Sequence, residues 1–61
     1  MHLNDFLLAR AEESDDEEQR ELLFDLVSER HELDSAVVER MALLEAAQFS
    51  DHPDYDPAWA D

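Results

Sequence analysis

The 61-residue chain contains no glycine, and its first proline is Pro53. Glycine and proline are the residues that most strongly disfavour helix interiors, so nothing before Pro53 forces the backbone out of a helix. The expected class is therefore all-α. Residues 1–49 are expected to form a helical hairpin or small helical bundle, and residues 50–61 a short acidic tail bearing proline and aromatic side chains.

Start signals divide the first part. Asn4 is a good N-cap for a short, mostly apolar segment running to Ala11. Ser14 followed three residues later by Glu17 reads as a capping box, and the acids at 15–18 suit the positive end of a helix dipole, so a second helix is expected from about Asp15. Asp34-Ser35 offers another cap before Ala36-Val37-Val38. It favours a break into a hairpin over one continuous helix.

Leu22, Leu23, Leu26, Leu33, Val37, Met41 and Leu44 recur at spacings of three, four and seven, the pattern of one apolar stripe. Leu22, Leu26, Leu33, Val37, Met41 and Leu44 are the residues expected to build the bundle or an oligomer core. Arg30 and Arg40 interrupt the stripe when it is read as strict heptads, which disfavours a long two-stranded coiled coil. Residues 36–47 are apolar around most of their circumference and are expected inside a bundle or dimer. At the end, Pro53 and Pro57 stop the long helix, and Asp56-Pro57 can start one further turn with proline at its first position.

A chain of this size buries only about 60% of the surface its unfolded form exposes. Small chains compensate with disulfides, a metal or a second subunit, and this one has no cysteine. Association is the remaining device, and a homodimer is expected. The first twenty residues do not read as a signal peptide, and the longest apolar runs, such as Met41–Leu44, fall far short of the roughly 20 residues that span a bilayer. A cytoplasmic protein without membrane contact is the expectation.

Two segments resemble a family of small uncharacterised proteins of actinobacteria and their phages. The first is Phe6-Leu7-Leu8-Ala9-Arg10; the second, more specific, is Asp51-His52-Pro53-Asp54-Tyr55 with Trp59. The resemblance implies an actinobacterial or actinophage source, with a host cytoplasmic setting if the gene is carried by a phage. The absence of Lys, Ile and Thr alongside abundant Ala, Arg, Asp, Glu and Leu fits a GC-rich genome.

Eighteen Asp and Glu stand against four Arg and no Lys, a formal net charge of −14. Such a chain repels phosphates and attracts basic protein surfaces. Direct nucleic-acid binding is therefore not expected; a protein partner with a basic surface is. Glu18, Glu21, Asp25, Glu29 and Glu32 fall at spacings of three and four, a ladder of like charges on one helix face that lowers helix stability. It reads either as a solvated surface or as a partner-binding one.

Tyr55 and Trp59, four apart, would share a face on one helical turn. Aromatic pairs are favoured interface anchors, so they join the acids as partner-binding candidates; the alternative is that they fold back over the chain's own helices. His2, His31 and His52 show neither a His-x3-His pair nor a glycine-bearing calcium loop, so no metal and no cofactor are expected. The serines are explicable as cap or surface residues, and so small a core can hardly enclose a substrate. The expected function is that of a non-enzymatic acidic interaction module, an inhibitor or modulator of a host protein if phage-encoded. The alternatives are a DNA mimic that blocks a DNA-binding protein and a small virion or assembly component.

Overall fold

The computed structural model describes residues 2–60, which form three α-helices and no strand. They are α1 (Leu3–Glu13), α2 (Glu17–Glu32) and α3 (Ala36–Ala47), followed by a 3-10 turn over Pro57–Ala60. The radius of gyration, 10.8 Å, matches the roughly 10.5 Å expected of a compact chain of this length. Helix α1 packs most extensively on α2, and α3 touches both as well as the 3-10 turn.

No described residue has a positive φ, which explains how the chain turns twice without glycine. Both α1 and α2 end on a residue in the extended region, Ser14 (φ −75°, ψ 134°) and Leu33 (φ −114°, ψ 131°), and a fresh cap follows almost at once. At α2 the cap is Asp16, whose carboxylate accepts from the backbone N–H of Glu18 at 3.0 Å and of Gln19 at 3.4 Å. Ser14, expected to cap this helix, instead closes α1 and accepts from the N–H of Asp16. At α3 the expected cap is present: the Ser35 hydroxyl accepts from Val38 N–H at 3.5 Å.

The start of α1 differs from expectation. His2 is the N-cap, its Nδ1 accepting from the N–H of Asn4. Asn4 is instead engaged by Arg30, which donates to its Oδ1 and also grips the Glu39 carboxylate through Nε (2.9 Å) and Nη2 (2.8 Å). Arg30 therefore ties all three helices together at one end. Read as an interruption of an apolar stripe, it is in fact a clamp at the edge of the core.

Asp16→Ala is expected to lower stability by about 1 kcal/mol, the usual value of an N-cap, and the melting temperature by about 4–8 °C. Thermal unfolding followed by circular dichroism checks this. Ser14→Ala should cost less, the reverse of what a capping box at Ser14 would require.

The core departs most from the apolar stripe. Helix α1 supplies Leu3, Phe6, Leu7 and Ala11, at the i, i+3, i+4, i+8 spacing of one face; α2 supplies Leu23 and Leu26; α3 supplies Val38, Ala42 and Ala46. Of the six residues expected to build the bundle, only Leu26 is buried within the chain. Leu22, Leu33, Val37, Met41 and Leu44 are exposed, Val37 by 68% and Leu44 by 59%. The stripe assumed one helical register from Leu22 to Leu44, whereas the break at Leu33–Ser35 resets the register between α2 and α3. For the same reason α3 is not enclosed: it buries one side and exposes the other.

The alanines at 42 and 46 let α3 approach closely, and the ring of Phe6 fills the space this leaves. Phe6 is fully buried. Its ring meets Phe49, His52 and Tyr55 edge-on, with centroids 6.3, 5.7 and 6.0 Å away, and Trp59 at 5.1 Å. The Arg10 guanidinium lies 5.2 Å from the same ring, in cation–π contact. The tail is thus part of the fold, packed through His52, Tyr55 and Trp59 on Phe6 of α1.

Candidate protein-interaction surface

On α2 the inward face comprises Gln19, Leu23, Leu26, Val27 and Arg30, all buried or half-buried. At about 100° per residue, Glu18, Glu21, Asp25, Glu29 and Glu32 cover an arc of roughly 80° on the opposite side. All five are exposed, and none makes a salt bridge or a side-chain hydrogen bond among the described residues. No cation falls within the arc, since Arg20 and His31 lie on its flank. The structure thus assembles the acidic ladder as one unpaired strip about 21 Å long.

The strip continues into the α1–α2 turn, where Glu12, Glu13, Asp15, Asp16, Glu17 and Glu18 are interrupted only by Ser14 and all exposed. Two of these acids have local work: Glu13 pairs with Arg10 at 3.1 Å, and Asp16 caps α2. Sequence reading assigned Asp15 to Glu18 to the helix dipole and overlooked Glu12 and Glu13. The run Glu12-Glu13-Ser14-Asp15-Asp16-Glu17-Glu18 was the available signal.

Position along the helix separates these acids by cause. Glu17 and Glu18 in the first turn are favourable to the dipole, whereas Glu29 and Glu32 near the C-terminal end oppose it. Arg30 and His31 occupy the same last turn. Local helix energetics therefore accounts for the acids at the start of α2 and not for those at its end.

Tyr55 and Trp59, the other partner-binding candidates, are half-buried, with centroids 5.3 Å apart in a T-shaped pair. They rest against Phe6, so most of their surface serves the chain's own core. Their outer edges, with Arg40, Leu43, Leu44 and Ala47, line a groove of about 330 Å³. Phe6, overlooked as the hub of this cluster, could have been found from its i, i+4 relation to Arg10 and from the aromatic density of the tail.

Trp59→Ala is expected to cost about 2 kcal/mol, roughly half the penalty for truncating a fully buried tryptophan. Helicity should be retained while the melting temperature drops by about 10 °C.

Arg10 is 6% exposed and has one hydrogen bond, from Nη2 to Glu13; Nε and Nη1 have none. Its contact with the Phe6 ring compensates part of the burial of its charge. No cluster of three or more potential metal-ligating side chains forms among the described residues, His2, His31 and His52 included. An open depression at the α2–α3 turn is lined by both charges, including Arg30, Glu32, Asp34 and Glu39. No helix among the described residues is long and apolar enough to cross a membrane.

The fold and surface define a small three-helix acidic protein. Comparison with known proteins gives no matching family model, no similar curated protein and no similar solved structure.

Proposed function

We propose that this protein is a non-enzymatic interaction module that presents the acidic outer strip of α2 to the basic surface of a protein partner, and that it acts as a homodimer. The observation that carries this reading is the strip itself: five exposed carboxylates on one face, unpaired, at a cost to the helix that bears them. A solvated surface needs net charge but no alignment. Alignment along one face of a rigid helix is what steering and orienting a partner requires, since charge complementarity acts mainly on association rate and specificity.

The resemblance of the two terminal segments supports an actinobacterial or actinophage source and, if the gene is carried by a phage, a host protein as the target in the host cytoplasm. Capture of partners by the tagged protein from an actinobacterial lysate is the corresponding experiment. The partner should carry a basic surface, elute as salt is raised, and be lost when the five acids are changed to Gln.

A second reading, DNA mimicry, draws on the continuous acidic run of the α1–α2 turn. Along α2 the strip carries about one charge per 5 Å, whereas duplex DNA carries one per about 1.7 Å. One chain falls short of that density, and so does a dimer that halves the spacing to about 2.6 Å, so basic-protein docking ranks first. Competition by duplex DNA for the captured partner favours mimicry; indifference to DNA removes it.

A further inference from the structure

The face of α3 turned away from the core is apolar and uncovered. Val37, Met41 and Leu44 are exposed by 68, 44 and 59%, and at about 100° per residue they fall on one stripe, opposed to the buried Val38, Ala42 and Ala46. These three side chains leave an apolar stripe along α3, and exposed apolar patches of a few hundred Å² on a monomer are often functional.

The charges on either side of this stripe identify what covers it. Arg40 flanks one side and Glu45 the other. Arg40 has no ion pair among the described residues. In heptad terms Val37 and Leu44 are at d, Met41 at a, Arg40 at g and Glu45 at e. When two identical helices run parallel, the g position of each lies beside the following e position of the other, and e and g charges set orientation. Arg40 then meets Glu45 of the partner subunit twice, by two-fold symmetry. An antiparallel pair would bring like flanks together, Arg40 beside Arg40 and Glu45 beside Glu45. The face is thus self-complementary in one orientation only.

We infer that a second copy of this chain docks on the outer face of α3, forming a parallel, two-fold α3–α3 pair with Val37, Met41 and Leu44 in its seam. The inference deepens the self-association part of the proposed function and rests on it, while using none of the α2 acids. Area sets the strength. A stable pair usually buries about 800 Å² per partner, and the patch with its charged flanks supplies less, so dissociation on the order of micromolar concentrations is expected. Two bodies of charge −14 repel each other, so self-association should tighten as salt is raised. Partner binding through α2 should weaken under the same change.

Sedimentation equilibrium of the full chain over a range of concentrations, at low and high salt, tests the proposal. A concentration-dependent shift from one chain to two is expected, stronger at high salt. Val37→Glu, at an exposed position, should hold the protein monomeric with unchanged circular dichroism. Arg40→Glu should weaken the dimer at least tenfold, and adding Glu45→Arg should restore it. The chain has no cysteine, so Leu44→Cys is a unique probe of orientation, and oxidation should link two chains through it only in the parallel pair.

A monomer at every concentration overturns the proposal, as does a dimer indifferent to Val37→Glu. A dimer lost in Val37→Glu but neither rescued by the charge exchange nor cross-linked through Leu44→Cys overturns the parallel arrangement. A monomer whose capture of a different protein depends on Val37 assigns the face to that protein instead. Changing the five α2 acids to Gln leaves the dimer intact, so failure here and failure of the acidic-surface reading are separately visible.

Discussion

Phe6→Ala is expected to abolish the cooperative unfolding transition. Truncating a fully buried phenylalanine costs about 3–5 kcal/mol, and a domain of this length has a total stability of only about 3–9 kcal/mol. The ring is also the shared partner of Phe49, His52, Tyr55 and Trp59. Its removal therefore releases the tail as well as leaving a cavity among α1, α2 and α3. Trp59 is the only tryptophan, so its fluorescence reports tail docking directly and should shift toward that of a solvated indole. Ser28→Ala, at an exposed position of α2 that belongs to neither proposed surface, should change stability by less than about 0.5 kcal/mol. A Phe6→Ala protein that melts cooperatively within a few degrees of the parent would contradict the assignment of Phe6 as the hub.

The second large effect concerns the α2 strip and has opposite signs on stability and on function. Changing Glu18, Glu21, Asp25, Glu29 and Glu32 to Gln removes four successive like-charge neighbours at i, i+3 or i+4, each worth about 0.2–0.5 kcal/mol. It also removes two acids from the C-terminal end of the helix, where they oppose the dipole, against the loss of one favourable first-turn acid, Glu18. Stability should rise by about 1–2 kcal/mol and the melting temperature by about 4–12 °C. Binding to a basic partner should fall by at least a hundredfold. A surface that lowers stability and is required for binding is the usual signature of a functional site, where stability and activity trade against each other. Thermal unfolding and partner capture on the same preparation measure both arms. If the variant is stabilised and still binds, the strip only solvates the protein.

The helical class was legible because it follows from what the chain lacks, glycine throughout and proline before Pro53. Ser35 as a cap, and Asp56-Pro57 as the start of a last turn, were legible because a cap needs only its own side chain and the next few N–H groups. Asp56 Oδ1 indeed accepts from Ala58 N–H at 2.9 Å. The acidic strip was legible for a similar reason: within one helix, spacing alone fixes which residues share a face.

The core was less legible. Leu22 and Leu23 are neighbours in sequence, and only the position of α1 decides that Leu23 is buried while Leu22 is exposed. Periodicity carried across Leu33–Ser35 joined residues that belong to two registers. The aromatic cluster was harder still, since Phe6 and Trp59 lie near opposite ends of the chain and no local pattern links them. Arg30, which in the sequence only interrupts an apolar stripe, proves to be a three-helix clamp, and Arg10 a buried cation over the Phe6 ring, roles set by tertiary neighbours alone.

The most direct test of the central claim, that the outer face of α2 is a binding surface, is salt-dependent capture of a partner by the parent protein and by the variant with Gln at all five positions. Between about 0.1 M salt, where the Debye length is about 10 Å, and about 1 M, where it is about 3 Å, exposed charge attraction is largely screened. The parent should hold a protein with a basic surface at the low end and release it at the high end, and the Gln variant should hold nothing at either. Equal capture by the two proteins, or capture by the parent that does not respond to salt, would contradict the account.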